Sequence, residues 1–100
     1  GYAIGSLTVE SVASTSETGK TKLTVAPAKE ANNGYFYKVA DAEVMPAYNE
    51  VCNATTGWKS WDGTSEIEAA NGKKIVVVEV TTEGSYAKKA GTATVASKTE

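Results

Sequence analysis

The sequence predicts an all-β chain, an immunoglobulin-like β-sandwich of about six to seven short strands. Three observations point there. Thr and Val are abundant while Leu is scarce, and branched side chains pack well on a pleated surface. Short alternating segments are separated by turn-forming residues about every ten positions, the spacing of small sandwiches. No stretch carries an apolar stripe at helical spacing over the length of an ordinary helix.

The elements follow in chain order. Leu7 to Val12 alternates, with Leu7, Val9 and Val12 read as inward-facing and a slip near Ser11 read as a bulge. Ser14 to Lys20 is a polar turn with Gly19 at its tip. Thr21 to Ala26 alternates cleanly and completes a hairpin, and Pro27 stops it because it lacks a ladder donor. Asn32-Asn33-Gly34 is a turn signal. Tyr35 to Val39 follows as an aromatic strand, with Tyr35, Tyr37 and Val39 on one face and Phe36 and Lys38 on the other. Ala40 to Thr56 shows no regular pattern; Met45 is held extended by Pro46, and Asn49 to Asn53 reads as a loop or one helical turn. Gly57 to Gly63 is a compact aromatic segment, and Ser65 to Ala69 a short strand. Asn71-Gly72 is the two-residue signal of a hairpin leading into Lys73–Val80. That run is almost continuously apolar, as expected of a central strand buried on both faces. Thr82 to Ser85 turns back, and Thr92 to Ala96 is the last strand.

One hundred residues make one domain with a modest core. The expected division is a lead-in at 1–5, a single sandwich at 6–96 and a polar tail or linker stub at 97–100. The first residues have neither the charged nor the apolar region of a signal peptide, and a start without Met suggests a mature or excised piece of something longer. Net charge is −2, with Lys and Glu interspersed. Nucleic acid and anionic membranes both call for clustered cations, so neither is an expected partner. No apolar run is long enough to span a bilayer. The single cysteine, Cys52, cannot close an intrachain disulfide. It reads as a small buried hydrophobe, an intermolecular link or a reactive thiol.

The chain has no histidine, which removes imidazole bases, Ser–His and Cys–His pairs and His metal ligands. No phosphate-binding glycine loop occurs. Glu10, Glu66, Glu68 and Glu79 fall on alternating positions and read as a solvated strand face. Asp62 to Glu66 is an oxygen-rich segment without calcium-loop spacing, and Asp41 with Glu43 is weaker still. The expectation is a chain that is not an enzyme and holds neither metal nor cofactor. The candidate ligand-binding residues are Trp58, Trp61 and Tyr48, with Tyr35 and Tyr37 as further members of a sugar-stacking platform. Against that, a domain poor in Leu and Phe needs its tryptophans for core, and positions 58 and 61 of one strand face opposite sides.

Larger patterns carry a resemblance. Ser6-Leu7-Thr8-Val9 followed by Gly19 to Val25, then Gly57-Trp58, Trp61 to Ile67, Gly72 to Val80 and Ala87 to Ala93, together resemble Ig-like accessory domains of tailed-phage virion proteins from phages of Gram-positive bacteria. The same rhythm is similar to β-modules of bacterial surface enzymes. The resemblance implies a surface-displayed, non-catalytic decoration domain on a capsid or tail, bound to other virion proteins or its parent polypeptide and adhering to cell-surface glycan. The alternative is a carbohydrate-binding or spacer module of a bacterial secreted or cell-surface protein.

Overall fold

The computed structural model describes residues 2–100; Gly1, the first residue of the expected lead-in, lies outside the described residues. Eight strands form among those residues: β1 (Gly5–Ser6), β2 (Thr8–Ala13), β3 (Lys20–Ala26), β4 (Asn33–Ala40), β5 (Lys59–Trp61), β6 (Ile67–Glu68), β7 (Lys74–Thr81) and β8 (Ala87–Thr94). They make a five-stranded sheet in the order β1-β8-β7-β4-β5 and a three-stranded sheet in the order β2-β3-β6. This is an immunoglobulin-type sandwich, as the sequence predicts. The strands that the sequence does not predict are the very short β1 and β5, whose few residues carry no period of their own.

The most apolar run explains the architecture. β7 is buried at every position from Ile75 to Val80, and it lies between β4 and β8. Ile75 and Val77 face the other sheet, where they join Leu7, Val9, Leu23, Tyr35, Trp61, Ile67 and Val95. Val76, Val78 and Val80 face outward, yet they too are covered, by Cys52 and Trp58 with Ala87, Ala90 and Phe36. The lid on this outer face is the segment between β4 and β5, the stretch without a readable pattern. It is an irregular loop ending in a 3-10 turn (Ala54–Thr56), whose Asn53 side chain caps the Thr55 and Thr56 amides. Each buried aliphatic of β7 contributes about 1.5–3 kcal/mol relative to exposure.

Several expectations need correction. β2 pairs with β3 in unbroken register from Thr8↔Ala26 to Ala13↔Thr21, so Ser11 marks no bulge. The inward positions are 7, 9 and 11, and Val12 faces solvent, 53% exposed. Ser11 is tolerated inside because its hydroxyl lies 2.6 Å from that of the fully buried Thr21 and accepts the Ala96 amide. Thr21 in turn donates to the Val12 carbonyl. Asn71-Gly72 does not close a hairpin. β6 pairs with β3 and β7 with β4 and β8, so the turn carries the chain from one sheet to the other. Gly72 adopts a φ of 89°, as the turn requires, and its amide donates to the Val95 carbonyl. The last strand begins five residues earlier than expected and leaves the sheet after Thr94. Glu79 belongs to no solvated face; it is fully buried. One of its oxygens, Oε2, accepts from the Glu30 amide at 2.9 Å and from Asn33 Nδ2 at 2.8 Å. The carboxylate thereby ties the 27–33 connection to the core, while Oε1 has no partner.

Candidate functional site

The three residues singled out from the sequence occupy three different environments. Trp58 is buried in the outer cluster, and the Lys38 ammonium sits 4.5 Å from its ring centroid. Trp61 is buried in the inter-sheet core. Its ring lies 5.3 Å from that of Tyr35, and its Nε1 donates to the Ser65 carbonyl at 2.8 Å. The opposite-face argument thus holds: the two indoles lie on either side of the same sheet, and both are almost fully removed from solvent. Tyr48 is half-buried in the lid loop. Its ring is 5.7 Å from that of Tyr2 and 4.6 Å from the Lys88 ammonium, which also donates to Asn49 Oδ1 at 2.6 Å. Lys88 belongs to β8 and Lys38 to β4; across β7 the register sets Lys38 opposite Thr92, so Lys88 is two strand spacings away and displaced along the sheet as well. Trp58, Trp61 and Tyr48 therefore do not converge on one surface.

A different group of residues does converge. β5 and β6 are both short, so the two sheets part along this edge and leave a groove of about 470 Å³. Tyr37, Val39 and Lys59 line one wall, Glu68 and Ala69 the other, and the Lys38 side chain reaches its rim. Burial, and then the negative charge of Glu68, push the Tyr37 phenol above its ordinary value, so it remains protonated. Phenol, carboxylate and ammonium groups offer hydrogen bonding and ion pairing beside the apolar Val39 and Ala69. Tyr37 was legible as a candidate. Lys38, Lys59 and Glu68 were not, because only the meeting of β4, β5 and β6 brings them together.

The remaining candidate positions have local tasks. Asp62 Oδ1 accepts the Thr64 and Ser65 amides, and Oδ2 accepts the Ser65 hydroxyl, closing the turn after β5. These bonds, led by that of the Ser65 hydroxyl, hold its carboxyl below the usual range. Asp41 pairs with Lys73, which lowers its pKa, and Glu43 accepts from Thr92. No group of three metal-ligating side chains gathers among the described residues. Cys52 is fully buried, and burial, then the charge of Glu50, push its thiol up to about 11.

Strand order and shared core define the chain as an immunoglobulin-like sandwich module. A family model for the C-terminal domain of the S-layer protein SbsC matches residues 14–98. The chain belongs to that family. It is also similar to two solved structures of surface layer protein SbsC. The one of domains 4–9 superposes with a TM-score of 0.66 at 28% identity, covering 93% of this chain and 14% of the other. The crystal structure of domains 7, 8 and 9 gives 0.68 at 28% identity, covering 94% and 27%. This chain therefore spans less than a third of either. No curated protein sequence matches it.

These matches overturn the resemblance to phage virion accessory domains. The family is that of a bacterial surface-layer protein, not a capsid or tail appendage. The rhythm behind that resemblance consists of turn residues and core aromatics. Any small sandwich needs them, so they do not separate one family of sandwiches from another.

Proposed function

We propose that the chain is a structural, non-catalytic domain of a bacterial cell-surface layer protein, working in series with other domains outside the cell. Its partners are its parent polypeptide and neighbouring subunits of the layer. The observation that carries the reading is the family match over residues 14–98. The shares covered agree with it: the chain corresponds to about one domain's worth of a six-domain and of a three-domain fragment. Its shape suits serial use. The molecule extends 44 × 27 × 24 Å. Residues 2–5 lie beside Lys88 and Lys89 at one pole, and residues 97–98 lie beside Asn71 and Lys20 at the other. In this reading residues 6–96 form the folding unit, with Gly5 paired onto it in β1 and 97 and 98 docked on it.

Deleting residues 6–96 from the parent polypeptide should abolish regular two-dimensional arrays in electron micrographs while leaving the protein exported. Arrays of unchanged lattice spacing and order would refute the structural role.

A second reading, weak adhesion to glycan, is favoured by Tyr2, 85% exposed and tilted against Tyr48 beside Lys88 and Asn49. Under this reading Tyr48→Ala removes binding on a glycan array and Trp61→Ala acts only through the fold. Binding that survives Tyr48→Ala in a folded protein would refute it.

A further inference from the structure

We propose that β1 and β8 form a shear clamp, which gives the domain a load-bearing function along its long axis. The biological use of the clamp rests on the serial arrangement proposed above; its mechanics do not. β1 and β8 run parallel, paired Gly5↔Lys89 and Ser6↔Ala90, and the Leu7 amide continues the contact with a bond to the Ala90 carbonyl at 2.9 Å. The chain reaches β1 from one pole, and after β8 it runs on to the other. Tension between the poles therefore pulls two parallel neighbours in opposite directions along their own axes. Every bond between them is loaded at once, and none can be peeled first.

The packing adds a second lock. Leu7 follows β1 directly and is buried in the inter-sheet core with Val9. A slide of one residue would turn side chains to the wrong face, so slippage must pull Leu7 out of the core. Gly91 permits the close approach: a Cβ there would lie 2.1 Å from the Leu7 carbonyl oxygen. Beyond β8 the chain is fastened again. Ala96 donates to Ser11, Ser97 to Asn71 and Lys98 to the Lys20 carbonyl, and the Gly19 amide donates to Lys98.

Single-molecule force spectroscopy on the whole chain tests this through two pulling geometries. Thiol handles at Tyr2→Cys and Lys98→Cys load the clamp in shear. Handles at Tyr2→Cys and Glu83→Cys pull from β1 and from the β7–β8 turn at the same pole, so they peel the same contact open. Cys52 is buried and does not compete for the linkage. The unfolding force should be about twofold or more higher in the first geometry, because forced unfolding reports the barrier along the pulled direction. Gly91→Ala should lower the force in the first geometry more than in the second. Equal forces in both geometries, or a higher force on peeling, would overturn the clamp; if Gly91→Ala does not fold, that comparison on the otherwise native chain decides alone. Failure here would leave the surface-layer reading standing, since that reading rests on the family match.

Discussion

Replacing either tryptophan by alanine separates a core role from a platform role. Trp58 is 3% exposed and Trp61 7%. Truncating a buried aromatic of this size costs about 3–5 kcal/mol, through lost transfer energy and the cavity left behind. A domain of this length holds roughly 5–15 kcal/mol in total. Each change therefore consumes a large share of the stability. In urea titrations followed by circular dichroism, at a slope of about 1.5 kcal/mol/M, the midpoint should fall by roughly 2–3 M. Trp61→Phe should cost less but more than a conservative core change, because it leaves the Ser65 carbonyl without its 2.8 Å donor. The two indoles belong to separate clusters, so Trp58→Phe and Trp61→Phe should add within about 0.5 kcal/mol in the double variant. A midpoint shift below about 0.5 M for either alanine variant would show that its ring is not packed as described and would reopen the platform reading.

Three further outcomes follow from the interior and the turns. Glu79→Ala removes the acceptor of the Glu30 amide and the Asn33 side chain. It should cost about 3 kcal/mol and speed hydrogen exchange at Glu30; unchanged protection there would exclude the bond. Asp62 has a folded pKa below its unfolded one. Its contribution is thus complete above the unfolded value of about 4 and fades as pH falls through the folded value. Asp62→Ala should destabilise at pH 7, with the difference from the native chain shrinking in acid; a difference independent of pH would contradict the hydrogen-bonded turn. Cys52, with its thiol at about 11 and no exposed surface, should resist thiol reagents at pH 8 until urea unfolds the chain. Stoichiometric labelling of the native protein within minutes would place it at the surface.

Much of the fold was legible because period and turn chemistry are local. Tyr35, Tyr37 and Val39 do share the inner face while Phe36 and Lys38 share the outer one, as a two-residue period dictates. The near-continuous apolar run of β7 announced a strand buried on both sides. The candidate site was far less legible. Tyr48 keeps a partly exposed ring, but the two indoles are interior, and the groove is built by residues from three strands that meet only at the edge where the sheets part.

Taken alone, the sequence determined the all-β class, the strands β2, β3, β4 and β7 and the centrality of Ile75 to Val80, and the want of imidazole chemistry. Each of these depends on the identity of residues or on neighbours a few positions apart. Tertiary structure decided which strands pair. Asn71-Gly72 has the residues of a hairpin turn yet bridges two sheets, because Ile67 finds its partner in Thr21 and Ile75 its partners in Val39 and Ala93. It also decided the fate of Glu79, whose alternating position looks solvated until the 27–33 connection folds over it. Pairing and coverage depend on residues tens of positions away, and no local period encodes which distant segment will arrive.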